Sequence, residues 1–279
     1  MTPTENRKKR RNCGFRFLTL LLTLVLTAGV FTACRDFIPQ GPTVPPDTIP
    51  KNEYRAEAFT RVDGLLQYAD GDYLQGIDVS VHQGVIDWQA VADSGVQFAV
   101  LRLGYRGTTV GELYLDEQFE ENYVQAKNAG LLLGVYFFSQ AANAGEAAEE
   151  AQFVCDTLNG RALDLPVFYD WETVDGGERV TSPYDVELTA CSLAFCQKIE
   201  ESGYDAGVYF NQTYGYRHIN LYELRDYTLW LAEYNETPGF DYQFHMLQYS
   251  DAGTVNGIEG SVDLDLLILK GNDTENDTE

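Results

Sequence analysis

Between residues 75 and 269, short apolar runs alternate with stretches whose apolar residues recur every three or four positions, the patterns of buried strands and of amphipathic helices. The runs predict eight strands, at 75–80, 98–104, 131–139, 165–172, 206–211, 228–234, 244–250 and 262–269. Helical spacing predicts helices over 88–93, 116–129, 146–158 and 183–201, the last with Ser182 as N-cap and Pro183 at the first helical position. Gly95, Gly130 and Gly203 each stop a helical pattern a few residues before the next strand, which is the joint of an α/β unit. Right-handed crossovers repeated in this way close a parallel sheet into a barrel. The connections after Asn211, Tyr234 and Ser250 are short or irregular for full helices. The expected fold is therefore α/β, a modified (β/α) TIM-like barrel that is regular in its first half and irregular in its second.

The flanks have other compositions. Residues 1–34 carry a basic run, Arg7 to Arg11, and then an apolar run from Phe17 to Ala33, the order of an export signal or membrane anchor. The run closes on Phe31-Thr32-Ala33-Cys34, which resembles the lipobox of bacterial lipoproteins with Phe where Leu is usual, and the resemblance implies lipidation of Cys34. An uncleaved apolar helix is the alternative anchor. Residues 35–72 hold Pro39, Pro42, Pro45, Pro46 and Pro50 and are expected to form an extended spacer, with a short helix around 56–68 or irregular structure at its end. The barrel is assigned to 73–270, and the acidic stretch 271–279 is expected to be a disordered tail.

The net charge of the 279 residues is −24, and residues 1–33 contribute six basic residues and one acid, so the remainder carries −29. A domain this acidic is poorly suited to nucleic acid, whose binding is dominated by phosphate neutralisation. Of five cysteines, Cys155, Cys191 and Cys196 fall in the barrel, without zinc spacing. They are expected to be buried small hydrophobes, although export would permit a disulfide from Cys155 to one of the others. No metal or cofactor is expected.

The most informative stretch is 165–172, where an apolar run ends in Asp170-Trp171-Glu172. Strand side chains alternate faces, so Asp170 and Glu172 point one way and Trp171 the other. Two acids on one face at a strand end are costly unless paired or used. In barrels of this kind reactive groups gather at the carboxyl ends of strands. Reading those ends collects Asp78, Arg102 with Tyr105, Tyr136 with Phe138, Tyr209 with Asn211, Glu233 with Tyr234, Gln248 with Tyr249, and Asp263 with Asp265. Acids that bond hydroxyls and aromatic faces that stack on sugar rings suit a carbohydrate, although aromatic residues also fill barrel interiors.

The stretches Gly76-Ile-Asp-Val-Ser-Val-His-Gln-Gly84 with Ile86-Asp-Trp88, Gly130 to Ala141, Phe168-Tyr-Asp-Trp-Glu172, Leu229-Trp-Leu-Ala-Glu-Tyr234, and Met246-Leu-Gln-Tyr-Ser250 with Val262-Asp-Leu-Asp265 together resemble family 25 of the glycoside hydrolases. These are the lysozymes that cut between N-acetylmuramic acid and N-acetylglucosamine, and the resemblance spans about residues 74–269. It implies that Glu172 is the general acid, that Asp170 assists at the reacting sugar, and that Asp78 and Asp263 are further site acids. Tyr105, Tyr136, Phe138, Tyr209, Asn211, Tyr234 and Gln248 are the expected saccharide contacts. Asp116 matches a family Asp of structural or peripheral role, and Arg102-Leu-Gly-Tyr-Arg-Gly107 stands where many members have Lys-x-Ser/Thr-Glu-Gly. The implied partner is peptidoglycan, acted on by a monomer held at the outer face of a bacterial membrane. His82 is expected beside the site, and His218 and His245 are expected to be structural. Two other readings remain: a chitinase-like family 18 barrel, which shares Asp-x-Glu but wants aspartates where Val167 and Phe168 stand, and a non-catalytic wall-binding module, which would not need both acids.

Overall fold

The computed structural model describes residues 48–269. The export segment with Cys13 and Cys34, the prolines from 39 to 46 and the acidic tail lie outside the described residues. Eight strands form a closed barrel: β3 (Tyr73–Val79), β4 (Phe98–Arg106), β6 (Leu132–Ser139), β7 (Val167–Trp171), β8 (Ala206–Asn211), β9 (Thr228–Ala232), β10 (Met246–Gly253) and β11 (Val262–Ile268). They follow the order β3-β11-β10-β9-β8-β7-β6-β4, and β3 pairs with β4 to close the ring. Every predicted strand is present. All neighbours are parallel except β11, which runs antiparallel to both β10 and β3. A short strand, β5 (Leu113–Leu115), adds antiparallel to the end of β4.

Helices α1 (Trp88–Asp93), α2 (Phe119–Asn128), α3 (Ala144–Leu158) and α4 (Leu188–Glu201) cover the early strands, and the short α5 (Gln212–Arg217) follows β8. Gly130 and Gly203 take the positive φ that ends their helices, 84° and 85°. The predicted helix over 183–201 is split. Ser182 accepts a hydrogen bond from the Tyr184 amide and Pro183 opens a 3₁₀ turn, but Val186 is extended and the α-helix begins only at Leu188. The cap signal was local to a single turn, and the long helix required the backbone at Val186 to follow it.

No helix connects β9 to β10 or β10 to β11. A sheet face left bare there would expose apolar side chains, and the chain covers it with a segment expected in the spacer. After a 3₁₀ turn at Ala56–Ala58, residues 59–68 form a hairpin, β1 (Phe59–Val62) with β2 (Leu65–Tyr68), in place of the expected short helix or irregular structure. Asp63 and Gly64 supply its turn, both at positive φ (51° and 85°). Phe59 and Leu66 join the main apolar core, β2 packs against β11, and the Gln75 side chain donates to the Leu66 carbonyl. Further up the chain the Asn52 side chain donates to the Phe240 carbonyl and Tyr54 OH to the Phe244 carbonyl.

Two apolar layers result. The larger lies between the strands and their outer cover, and the smaller fills the barrel with Phe98, Val100, Tyr136, Phe168, Trp230 and Met246. Trp230 is the hub, edge-on to Phe168 at 5.0 Å and to Tyr209 at 4.8 Å between ring centroids. Glycine makes room for these rings: a Cβ on Gly76 would lie 2.2 Å from the Phe98 ring, and one on Gly207 2.5 Å from Phe168. Cys155, Cys191 and Cys196 are free thiols, Cys191 and Cys196 fully buried. Among the described residues no helix is long and apolar enough to cross a membrane.

Because the hairpin is core, Phe59→Ala, at a site 3% exposed, is expected to cost about 3 kcal/mol in urea unfolding. A loss under about 1 kcal/mol would make the hairpin an appendage.

Candidate active site

The aromatic plug stops short of one end of the barrel, and above it opens a cleft of about 710 Å³. Asp78, Asp170, Glu172 and Asp263 all line it, as do Tyr105, Tyr136, Phe138, Tyr209, Tyr234 and Gln248. The exception among the expected contacts is Asn211. Its side chain caps α5 by accepting from the Tyr214 amide at 3.1 Å, and it lines an adjoining lobe of about 500 Å³ that shares Glu172, Tyr209 and Tyr234 with the cleft. A larger and more open depression, about 1210 Å³, runs from His82 past Trp88 to Glu259 but touches none of the four acids. The chemistry belongs to the smaller cleft.

Strand alternation aims these groups. On β7, Phe168 enters the plug and Asp170 the cleft, while the Trp171 indole turns outward and donates to the Ala141 carbonyl at 3.0 Å. Gln140 fixes the strand end by donating to the Glu172 carbonyl at 2.6 Å. Asp263 reaches the cleft by a different route. The acids of the last strand stand at its amino end, not its carboxyl end, and only the antiparallel course of β11 brings Asp263 opposite Asp78 in the β3 ladder. Glu233, also read from a strand end, faces away and accepts from the Gly239 and Phe240 amides at 2.7 and 3.2 Å, bracing that loop.

A hydrogen-bond network ties the floor together. Gln248 Nε2 donates to Asp78 Oδ2 at 2.7 Å, and Gln248 Oε1 accepts from Tyr209 OH at 2.9 Å and Tyr234 OH at 2.7 Å. Behind Asp78, Trp230 Nε1 donates to Asp265 Oδ1 at 2.9 Å. Asp116 is a brace, with Oδ2 accepting from Arg102 Nε at 2.7 Å and from the Val81 amide at 3.0 Å. It thereby orients Arg102 on the cleft wall and the 3₁₀ turn that carries His82. Arg106 holds the rim, bonding Glu150 Oε1 at 2.7 Å and the carbonyls of Gly111 and Glu146 at 2.8 and 2.9 Å. His218 packs edge-on to Tyr184 and Tyr214, and His245 Nδ1 accepts from the Leu229 amide, both structural roles.

The acids are held toward their neutral forms. Burial is the largest cause for each, and repulsion from a neighbouring acid comes second. Asp170, 6% exposed, is pushed well up by burial and then by Glu172, with Arg102 opposing. Glu172 is raised by burial and then by Asp263, while a hydrogen bond with Tyr209 opposes the rise. Asp263 is raised to about 6 by burial and then by Asp251. Asp251 and Trp230 line the cleft but went unread in the sequence, Asp251 because it stands beyond the apolar part of its strand and Trp230 because its indole looks like core. Among the described residues no cluster of His, Cys, Asp and Glu could hold a metal ion.

The sequence profile of "Glycosyl hydrolases family 25" matches residues 77–258. The chain belongs to that family. It is 33% identical over 193 residues to the autolytic lysozyme of Clostridium acetobutylicum, covering 69% of this chain and 55% of that protein. It is 36% identical to lysozyme M1 of Streptomyces globisporus over 107 residues, 37% of this chain and 34% of that one. The chain thus spans about half the length, or less, of these curated relatives. Among solved structures it superposes on the bacterial lysozyme from Streptomyces coelicolor with a TM-score of 0.54 at 26% identity, over 70% of this chain and 92% of that one. On the modular autolysin LytC from Streptococcus pneumoniae the TM-score is 0.62 at 23% identity, over 75% and 52%. The second likeness is one of fold. The family 25 domain is the closed barrel and its α/β cover, as the alternation of strands and helices predicted.

The raised Asp263 has a stability consequence. An acid whose folded pKa lies near 6, above the usual value near 3.8, is harder to ionise in the folded chain, so stability falls as pH rises from about 4 to about 6 and stays lower above. Asp263→Asn is expected to leave urea stability at pH 4 nearly unchanged and to raise it at pH 8 by about 1 kcal/mol, allowing for solvent screening at a half-buried site. An equal effect at both pH values would contradict the assignment.

Proposed function

We propose that this chain is a peptidoglycan hydrolase, a lysozyme that cleaves the β-1,4 bond between N-acetylmuramic acid and N-acetylglucosamine. The observation that carries the reading is the pairing, at the carboxyl end of β7 in a saccharide-sized cleft, of a half-buried Glu172, which burial and Asp263 push toward its neutral form, with a deeply buried Asp170. The similarity to an autolytic lysozyme supports it.

Glu172, accessible at the cleft wall, serves as the general acid and gives its proton to the leaving glycosidic oxygen. Asp170 approaches from the same side, since residues two apart on a strand have Cα atoms about 6.5–7 Å apart on one face. It is badly placed for attack from the opposite face of the sugar. The 2-acetamido carbonyl oxygen of the substrate can attack C1 instead, as in substrate-assisted hydrolases. Asp170 Oδ1 is buried with no hydrogen-bond partner among the described residues, and an acetamido N–H would supply one. As the C1–O bond breaks and the amide gains positive charge, that hydrogen bond strengthens. The Glu172 carboxylate then takes a proton from water, whose oxygen attacks C1 and reopens the oxazolinium ring, with net retention. Asp78 and Asp263, with Tyr209, Tyr234 and Gln248, are proposed to hold the reacting sugar, and Tyr105, Tyr136 and Phe138 to bound it. The protein is proposed to act as a monomer.

Digestion of purified peptidoglycan tests the reading. New muramic acid reducing ends by mass spectrometry, with a β-anomer formed first by proton NMR, are expected. Glucosamine ends would favour the chitinase-like alternative and no release the wall-binding one, and an initial α-anomer would exclude substrate assistance. Glu172→Gln should lower turnover about 10²- to 10⁴-fold while glycan binding persists. A variant retaining a tenth of the activity would remove Glu172 from this role.

The basic-then-apolar amino terminus and Phe31-Thr-Ala-Cys34 support export and anchoring at the outer face of the bacterial cell membrane, with the prolines proposed as a spacer. Cys34→Ala is expected to abolish metabolic lipid labelling. Labelling that survives, or mature protein that still begins at Met1, would replace the lipid anchor with an uncleaved helix.

A further inference from the structure

Asp265 is 0% exposed, lines neither the cleft nor its adjoining lobe and has no part in the chemistry above, yet it stands two residues from Asp263 on the strand that closes the barrel. One of its oxygens, Oδ1, is held by the Trp230 indole at 2.9 Å, and the other, Oδ2, receives no N–H. What faces it is the Asp78 carboxyl, within hydrogen-bonding reach. Asp78 in turn has Oδ2 occupied by Gln248 Nε2 at 2.7 Å. Gln248 is itself oriented, because its Oε1 accepts two tyrosine hydroxyls. Asp265 is thus left with one buried oxygen that receives no N–H, and the Asp78 carboxyl, held by Gln248, lies within hydrogen-bonding reach of it and of Asp263. Two carboxylates cannot occupy such a position without a proton between them.

We propose that Asp265 is a positioning residue of this site: it and Asp78 share one proton, which rests on Asp78 and is donated to Asp265 Oδ2, so that Asp78 meets the saccharide as a neutral, immobilised carboxyl. The role of Asp78 toward a saccharide rests on the function proposed above, whereas the shared proton does not. The location of the proton follows from the neighbours. Burial and Asp263 push Asp265 up as well, but the indole N–H and the Asp78 hydrogen bond both oppose that rise, whereas Asp78 is flanked by Asp263 and Asp265 together and by the hydroxyls of Tyr136, Tyr209 and Tyr234 on the cleft walls. Arg102, a cation on the cleft wall, is already engaged by Asp116 and also acts on Tyr136 and Asp170. Burial and both aspartates of β11 favour the neutral form of Asp78, with only the Gln248 hydrogen bond opposing. Neutrality matters at this spot. An ionised Asp78 would put a further anion beside Asp263 under a substrate that brings no cation to pair it.

Carboxyl-carbon NMR of the full chain, with Asp78 assigned through the backbone, tests this without substrate. In the wild type the Asp78 carboxyl is expected to be protonated at pH 7. In Asp265→Asn, which keeps the shape and can donate to an ionised Asp78, its midpoint should fall by about two pH units or more. A wild-type Asp78 that titrates near the ordinary aspartate value overturns the proposal whether or not the variant folds, and so does a midpoint unchanged in the variant. On peptidoglycan, Asp265→Asn should lose about tenfold or more in kcat/KM at pH 7, and the deficit should shrink once Asp78 is reprotonated at lower pH. A deficit independent of pH would overturn the positioning role. Absence of wild-type peptidoglycan turnover would instead count against the proposed substrate and leave the NMR result standing.

Discussion

The cost of burying carboxyl groups above an apolar floor governs this molecule. Rings from Phe98, Phe168 and Trp230 fill the barrel so completely that water is kept from its axis, and the acids of the next layer lose most of their hydration. Desolvation then does what repulsion between acids would do only in part, holding Asp78, Asp170 and Glu172 toward their protonated forms. Gly76 and Gly207 belong to the same device, since side chains there would push the rings out of the floor.

That floor exists only because the sheet closes, and closure depends on the one reversed strand. β11 enters between β10 and β3 in the opposite sense, with register shifts along its pairing to β10. Its amino end delivers Asp263 and Asp265 to the mouth, beside Asp78. Reversal also removes the need for a crossover helix and leaves the outer face of this part of the sheet without one. The hairpin from residues 59–68 supplies the missing cover, so a segment remote from the cleft stabilises the strand that carries part of it.

Around the mouth, some buried acids act as braces, while others line the cleft together with aromatic and amide groups. Asp116, Glu150 and Glu233 are all buried and all satisfied by backbone amides or arginines. Asp116 braces the turn that carries His82, Glu150 holds Arg106, and Glu233 holds the backbone at Gly239 and Phe240. The acids that lack such partners are the ones that face the cavity, with Asp170 the clearest case.

The eight barrel strands and the pairing of Asp170 with Glu172 on one face were legible in the sequence, because strand burial and alternation are written in local apolar pattern. So were the stop glycines, whose φ is a property of single residues. The stretch 56–68, expected as a short helix or as irregular structure, forms a hairpin because its side chains answer to β11, about two hundred residues away, and the break at Val186 was equally invisible to a local cap signal. Asp263 and Asp265 could be recognised as acids near a strand, but their end of the barrel, their register against Asp78 and the indole behind Asp265 depend on strand direction. By itself, then, the sequence determined which residues alternate, which are apolar and where helices stop, all consequences of neighbouring chemistry. Only the tertiary structure decided which acids share a mouth and which give up their water, because desolvation and hydrogen bonding are set by side chains brought together from opposite ends of the chain.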